Sequence, residues 1–278
     1  MQRLDKMTLT EVKLDPPAFV SREYIGFGLY GRIALLCEDP SRCFKFCEPL
    51  NKDGVKALEN EKKILARLGA HKYIIELHWV HERGLCFEYY PHGSLRSYFE
   101  MQSSALPPLV IRTRWCRQVA EGLGFIHSKD IIHNDISARN ILITTSMDIK
   151  ICDFGFAAEV GEKVLCVPDT GYTRHPRGMC LARPTDDLFA LGSLFYEILN
   201  GARPYADVES DEVQVKFESG VFAPLNCIQP GYFAGVINKC WNAQYNSVLE
   251  LQEELNSLSA SKSDGFSTAR VFEGMDRV

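Results

Sequence analysis

Two hydrophobic periodicities divide this chain, and their order limits the folds open to it. Short apolar or β-branched runs come first. Residues 32–37, 43–47, 74–80 and 85–89 read as strands separated by turn residues. One helix interrupts them at about residues 53–68, where Val55, Leu58, Ile64, Leu65 and Leu68 recur at near-helical spacing and Gly69 can end it. Helical stripes fill the rest. Residues 109–127 place Ile111, Trp115, Val119, Leu123 and Ile126 on one face, and Leu188, Leu191, Phe195, Ile198 and Leu199 form a second stripe closed by Asn200-Gly201. Further helices are expected at residues 209–218, 232–241 and 248–258. Strands followed by helices predict an α+β chain, with a small strand-rich lobe (21–90), a larger helical lobe (91–258) and a hinge at 91–93. Residues 1–20 read as a polar lead-in and 259–278 as a disordered tail.

The 278 residues are 46% hydrophobic and 24% charged, enough for a sizeable core. A net charge of -5 argues against nucleic acid as a general partner. The amino terminus has no apolar core of signal-peptide length, and the apolar stretch 188–199 is too short to span a bilayer and contains Glu197. No membrane anchor is expected. An intracellular protein is, cytoplasmic first with the nucleus left open. Ten scattered cysteines without a C-x-x-C pair point to reduced thiols.

The chemistry concentrates in HNDISARNILI, residues 133–143, and in Asp153-Phe154-Gly155. One carboxylate, Asp135, can orient a hydroxyl. Asn140 and Asp153 can hold metal ions on a nucleotide triphosphate. Each alone would be an ordinary cap or surface residue, but together they are the polar groups a phosphoryl-transfer site needs at its centre. Upstream, Gly26, Gly28 and Gly31 fit G-x-G-x-x-G, where small residues let backbone approach phosphate. A strand follows this motif, which favours a flap between strands over a dinucleotide site. Lys45 lies inside the apolar run 43–47 and needs either a partner or a solvated strand face. Glu61 is the favoured partner and Glu59 the competitor.

In this order and spacing the motifs resemble a eukaryotic-type protein kinase domain over roughly residues 20–258. GFGLYG matches the glycine-rich loop, FKF the strand lysine, NEKKIL the helix glutamate and FEYYPHGSL the hinge. HNDISARN and DFG match the catalytic and metal loops, and DLFALG with NGARPY the central helix of the larger lobe. The resemblance implies ATP and Mg2+ as cofactors and a protein hydroxyl as acceptor. It implies that Asp135 accepts the hydroxyl proton, that Asn140 and Asp153 bind magnesium, and that Lys45, fixed by Glu61, holds the α/β-phosphates. Phe87 would be gatekeeper, the backbone of Glu88 and Tyr90 would bond adenine, Cys43 and Leu142 would sandwich the ring, and Asp187 would brace the catalytic loop.

The chain departs from the family at named places. Asn134 replaces the arginine that receives an activation-loop phosphate, so activity that does not depend strongly on phosphorylation at Thr170, Tyr172 or Thr173 is expected. Ser137 replaces the catalytic-loop lysine of serine/threonine kinases, and Arg139 matches the tyrosine-kinase pattern. Thr170 sits where serine/threonine kinases carry the threonine that bonds that loop, which favours Ser/Thr acceptors. His175-Pro176-Arg177 reverses the charge of the usual A-P-E, and no arginine follows Cys240-Trp241 to pair with a glutamate there. Cys152 beside Asp153 reads as a small core residue before it reads as a reactive thiol. Two alternatives stand beside an active kinase: a pseudokinase that binds nucleotide as a scaffold, and a small-molecule phosphotransferase.

Overall fold

A computed structural model describes residues 20–27, 31–101, 106–166, 169–173 and 178–263. The first lobe is an antiparallel sheet of β1 (Val20–Phe27), β2 (Arg32–Leu36), β3 (Arg42–Phe46), β4 (Leu77–His81) and β5 (Gly84–Glu88), in the order β1-β2-β3-β5-β4. Between β3 and β4 runs α1 (Lys52–Leu68), capped by Asn51, whose side chain accepts from Gly54 N–H, and closed by Gly69 at φ 70°. β1 was not read from the sequence, where its first residue lay in the lead-in.

The alternation along β3 assigns its faces. Phe44 and Phe46 join Val20, Ala34 and Cys86 in a small cluster on one side. Phe44 stacks on Phe46 and on Trp79 with centroids 5.8 and 5.6 Å apart. Cys43 and Lys45 therefore point to the opposite side, toward α1. The register Ile33↔Lys45↔Leu85 places the lysine in the middle strand.

The second lobe is mainly helical: α2 (Leu95–Met101), α3 (Leu109–His127), α4 (Pro184–Asn200), α5 (Ser210–Glu218), α6 (Tyr232–Trp241) and α7 (Val248–Ser263). Every residue of α4 from Asp187 to Leu199 is buried, as in a helix surrounded by protein on all sides, and it packs on α3 and α6. Pro184 opens it and Gly201 closes it at φ 82°. α7 continues through Ser263, past the expected boundary at residue 258, and the rest of the expected tail lies outside the described residues. Short strand pairs complete the second lobe. β6 (Ile131–Ile132) pairs with β9 (Ala158–Glu159), and β7 (Ile141–Ile143) with β8 (Ile149–Ile151). β10 (Lys163–Cys166) pairs with β11 (Gly178–Leu181). The bilobal α+β arrangement is the one expected, and one contiguous core runs from Leu58 and Phe87 of the first lobe to Trp241 and Leu255 of the second.

Among the described residues no helix is long and apolar enough to cross a membrane. Eight cysteines are free thiols, but Cys180 is disulfide-bonded, which corrects the expectation that all are reduced.

Candidate active site

Lys45 meets two carboxylates. Its Nζ lies 2.7 Å from Glu61 Oε2 and 2.8 Å from Asp153 Oδ1. Burial opposes the ammonium charge, but the two anions more than offset it and hold the lysine protonated well above its usual range. Glu61 shares the buried stripe of α1 with Leu58, Leu65 and Leu68, and its other oxygen accepts from Phe154 N–H at 3.2 Å. Glu59 is instead two-thirds exposed and pairs with Lys62. The choice of Glu61 over Glu59 thus has a geometric cause, the inward face of α1.

Asp187, in the first turn of α4, holds the start of the 133–143 segment. It accepts from His133 N–H at 2.8 Å and Asn134 N–H at 2.9 Å, and lies 2.9 Å from His127 Nε2. These bonds hold Asn134 at φ 62°, a left-handed backbone that asparagine tolerates better than most residues. Burial lowers the affinity of His133 for a second proton. In the neutral ring Nε2–H donates to Cys152 O at 3.1 Å, and Nδ1 accepts from Asp135 N–H at 3.3 Å.

Asp135 Oδ2 accepts from Asn140 Nδ2 at 2.8 Å. Asp135 Oδ1 is buried with no hydrogen-bond partner, 4.0 Å from Arg139 Nη2. Burial first, and repulsion from Asp153 second, push the Asp135 carboxyl up to about 7. An orphaned carboxylate oxygen is costly in a folded core and suits an incoming hydroxyl.

The donors fit a hard cation. The Asn140 amide nitrogen is occupied by Asp135, which leaves the amide oxygen as its donor atom, and Asp153 adds a carboxylate. Among the described residues no group of three or more His, Cys, Asp and Glu side chains could hold a metal ion. A cation at this site would share its ligands with phosphate, the usual arrangement for Mg2+.

The base-binding candidates line one wall. Phe87 and Cys43 are buried and face each other across β3 and β5. Cys43 Sγ lies 3.7 Å from Glu88 O, and burial pushes its thiol up to about 12. Tyr90 is buried, and its hydroxyl donates to Glu88 Oε2 at 2.9 Å. Leu142 on β7 is half-buried and bridges to Ser94. Burial also raises the Cys152 thiol well above its usual range, which supports the core reading over the reactive one. Of the glycines, a Cβ at Gly31 would crowd Phe46 O at 3.0 Å, and Gly26 packs on Ile33. Gly28 lies outside the described residues.

Three departures have structural counterparts. Asn134 Nδ2 donates to Phe156 O at 3.0 Å, so its side chain ties the catalytic loop to the chain beyond Asp153. Thr170 Oγ1 donates to Ser210 Oγ at 3.1 Å, away from Asp135. Arg139 faces Asp169 at 3.4 Å as well as Asp135. Ser137 is buried with its hydroxyl unpartnered, and His175, Pro176 and Arg177 lie outside the described residues.

Sequence reasoning missed an anchor for the segment after β10. Arg96 Nε and Nη2 donate to Glu197 at 2.6 and 2.9 Å, and Nη2 also reaches Asp169 at 3.2 Å. The Tyr172 hydroxyl donates to Glu197 and accepts from Ala138 N–H. The available signal was an acid, Glu197, inside the apolar stripe of α4.

A family model described as protein tyrosine and serine/threonine kinase matches residues 43–258. The chain is 30% identical over 176 residues to the tyrosine-protein kinase receptor torso of Bombyx mori, covering 58% of this chain and 21% of that protein. It is 29% identical over 217 residues to a probable cAMP-dependent protein kinase catalytic subunit of Encephalitozoon cuniculi, covering 72% and 66%. It is 26% identical over 259 residues to the inactive tyrosine-protein kinase kin-32 of Caenorhabditis elegans, covering 86% and 28%. The chain therefore spans 21% to 66% of the length of these relatives. The matched residues take in most of its own length and contain Lys45, Glu61, Asp135, Asn140 and Asp153, and the chain belongs to the protein tyrosine and serine/threonine kinase family.

Proposed function

We propose that this chain is an active, ATP-dependent protein kinase that transfers the γ-phosphoryl group to a protein hydroxyl, with Mg2+ as cofactor. The observation that carries the reading is the bonding of Lys45 to both Glu61 and Asp153, which joins the helix of the first lobe to the metal loop. In this reading Lys45 holds the α/β-phosphates, and Glu61 keeps it from folding away. Asn140 and Asp153 hold the cation, which neutralises charge on the phosphates when bound. Asp135 offers its unpartnered oxygen to the acceptor hydroxyl, orients it and takes its proton. The backbone of Glu88 and Tyr90 bonds the adenine, between Cys43 and Leu142, with Phe87 behind it and Gly26, Gly28 and Gly31 above the triphosphate. An intracellular setting is part of the proposal, and Cys180 in its disulfide is the residue that sits least comfortably with it.

Serine or threonine is the acceptor the sequence favours. A second reading, tyrosine, gains from the structure, because Thr170 bonds Ser210 while Arg139 stands beside Asp135. The family description names both kinds of acceptor, which leaves the choice to experiment. The test is Mg2+-dependent ATP turnover by the purified chain, followed by phosphoamino-acid analysis of labelled protein. Turnover abolished by Asp135→Ala supports the kinase. Nucleotide binding without turnover would make the chain a scaffold, and phosphorylation of small alcohols alone would make it a small-molecule phosphotransferase.

A further inference from the structure

Asn60 immediately precedes Glu61 on α1, and both side chains reach the same stretch of backbone. Glu61 Oε1 accepts from Phe154 N–H. Asn60 Nδ2 lies 2.8 Å from Ala157 O, 3.1 Å from Gly155 O and 3.3 Å from Phe154 O. One turn earlier Ala57 lies against Gly155, where a Cβ would come 3.3 Å from the Ala57 methyl.

Residues 152–157 form no strand, so their carbonyls need partners outside a ladder. An amide NH2 carries two hydrogens, and the contacts to Ala157 and Gly155 use both. The Phe154 carbonyl has its own donor, Ala157 N–H at 3.1 Å. The turn held in this way starts at Asp153, whose φ of 64° is a left-handed conformation that a non-glycine residue keeps only when its surroundings enforce it.

We propose that Asn60 is a positioning residue for the metal-binding aspartate. Its amide holds the carbonyls that follow Asp153 and so fixes the direction in which the Asp153 carboxylate meets a divalent cation. This rests on the reading of Asp153 as a metal ligand. It makes α1 act on the metal loop through two adjacent residues, of which only Glu61 also touches the lysine.

The test uses the full chain with Asn60→Ala, Asn60→Asp and Asn60→Gln. Aspartate keeps the size of the side chain but replaces the donor with an acceptor facing three carbonyls, while glutamine keeps the amide. Three quantities are measured: the Mg2+ concentration for half-maximal ATP turnover, the affinity for a fluorescent ATP analogue in Mg2+ and in EDTA, and amide exchange across residues 153–158 without metal. Alanine and aspartate should raise the Mg2+ requirement by roughly tenfold, as loss of a group that orients a metal ligand does elsewhere. They should leave affinity in EDTA nearly unchanged and speed exchange, and glutamine should restore part of each effect. An unchanged Mg2+ requirement with unchanged exchange would overturn the proposal, and so would equal losses of affinity in Mg2+ and EDTA. If the unmodified chain binds Mg2+-ATP without turnover, the kinase reading fails, yet the binding and exchange measurements still decide the role of Asn60.

Discussion

The Tyr172 hydroxyl donates to the Glu197 carboxylate inside the second lobe, where both side chains are buried. Arg96 completes the site with two bonds to the same carboxylate and one to Asp169. Three parts of the chain meet here: α2, α4 and the segment at residues 169–172 that follows β10. The usual ion pair at the end of that segment has lost both of its members in this sequence, and this buried triad is a different fastening for it.

Truncating the triad should cost in proportion to the charge left stranded. Tyr172→Phe removes two hydrogen bonds, one to Glu197 and one from Ala138 N–H, and should cost about 1–3 kcal/mol. Glu197→Ala leaves the Arg96 guanidinium without its main partner and should cost about 3–5 kcal/mol. Urea denaturation of each variant measures both. A Glu197→Ala variant no less stable than Tyr172→Phe would show that the ion pair does not hold this region.

Loop phosphorylation should matter little. Asn134 spends its side chain on Phe156 O, and no arginine stands at that position to receive a phosphate. Because Tyr172 is a buried anchor, a triple alanine variant that includes it would confuse regulation with folding. Thr170→Ala with Thr173→Ala is the cleaner change. Turnover should stay within about tenfold of the unmodified chain, or ~1.4 kcal/mol in the barrier, and phosphatase treatment should leave it unchanged. A larger drop on dephosphorylation would count against this account.

Glu61 and Glu59 offer a matched comparison, since they lie on one helix two positions apart. Glu61→Gln weakens a charged bond to Lys45 in a dry site and should lower turnover on the order of a hundredfold. Glu59→Gln, on the solvated face, should leave turnover unaltered within error. Steady-state kinetics with saturating ATP separates the two, and equal effects would remove the reason to call Glu61 the partner.

Much of this was legible in sequence because periodicity and order were informative. The span 109–127 was read as a helix and is one, and the stripe from Leu188 to Leu199 became the buried helix α4. Lys45 could not be assigned a face from the run 43–47, since all of its neighbours are apolar. Only the pairing of β3 between β2 and β5 decides that the two phenylalanines share one side and the lysine turns to the other. Long-range polar pairs were likewise hidden. Arg96 and Glu197 are far apart in the chain, and although Glu197 stands out as an acid in an apolar stripe, nothing in the sequence pairs it with Arg96. Asn60 was invisible for a different reason: an asparagine before a buried glutamate carries no pattern until the carbonyls of residues 154–157 are placed opposite it.

Asp135 should make the stability of the metal-free protein fall as pH rises. Its carboxyl is pushed up to about 7 from 3.8, chiefly by burial. An acid with a raised value in the fold binds more protons folded than unfolded between those two limits. The stability contributed by this one carboxyl is therefore greatest below about pH 4, is lost as pH climbs through 7, and is level above that. The full span of that contribution is at most ~4.5 kcal/mol, from about 1.4 kcal/mol for each unit between 3.8 and 7. Asp135→Asn cannot ionise and keeps nearly the same shape. In EDTA and without nucleotide, this variant should be more stable than the unmodified chain at pH 8, and the gap should close by pH 4. Urea midpoints across that range give the answer. A variant less stable at pH 8, or a gap that does not change with pH, would mean that the unpartnered oxygen of Asp135 is solvated in the free protein and costs nothing to hold there.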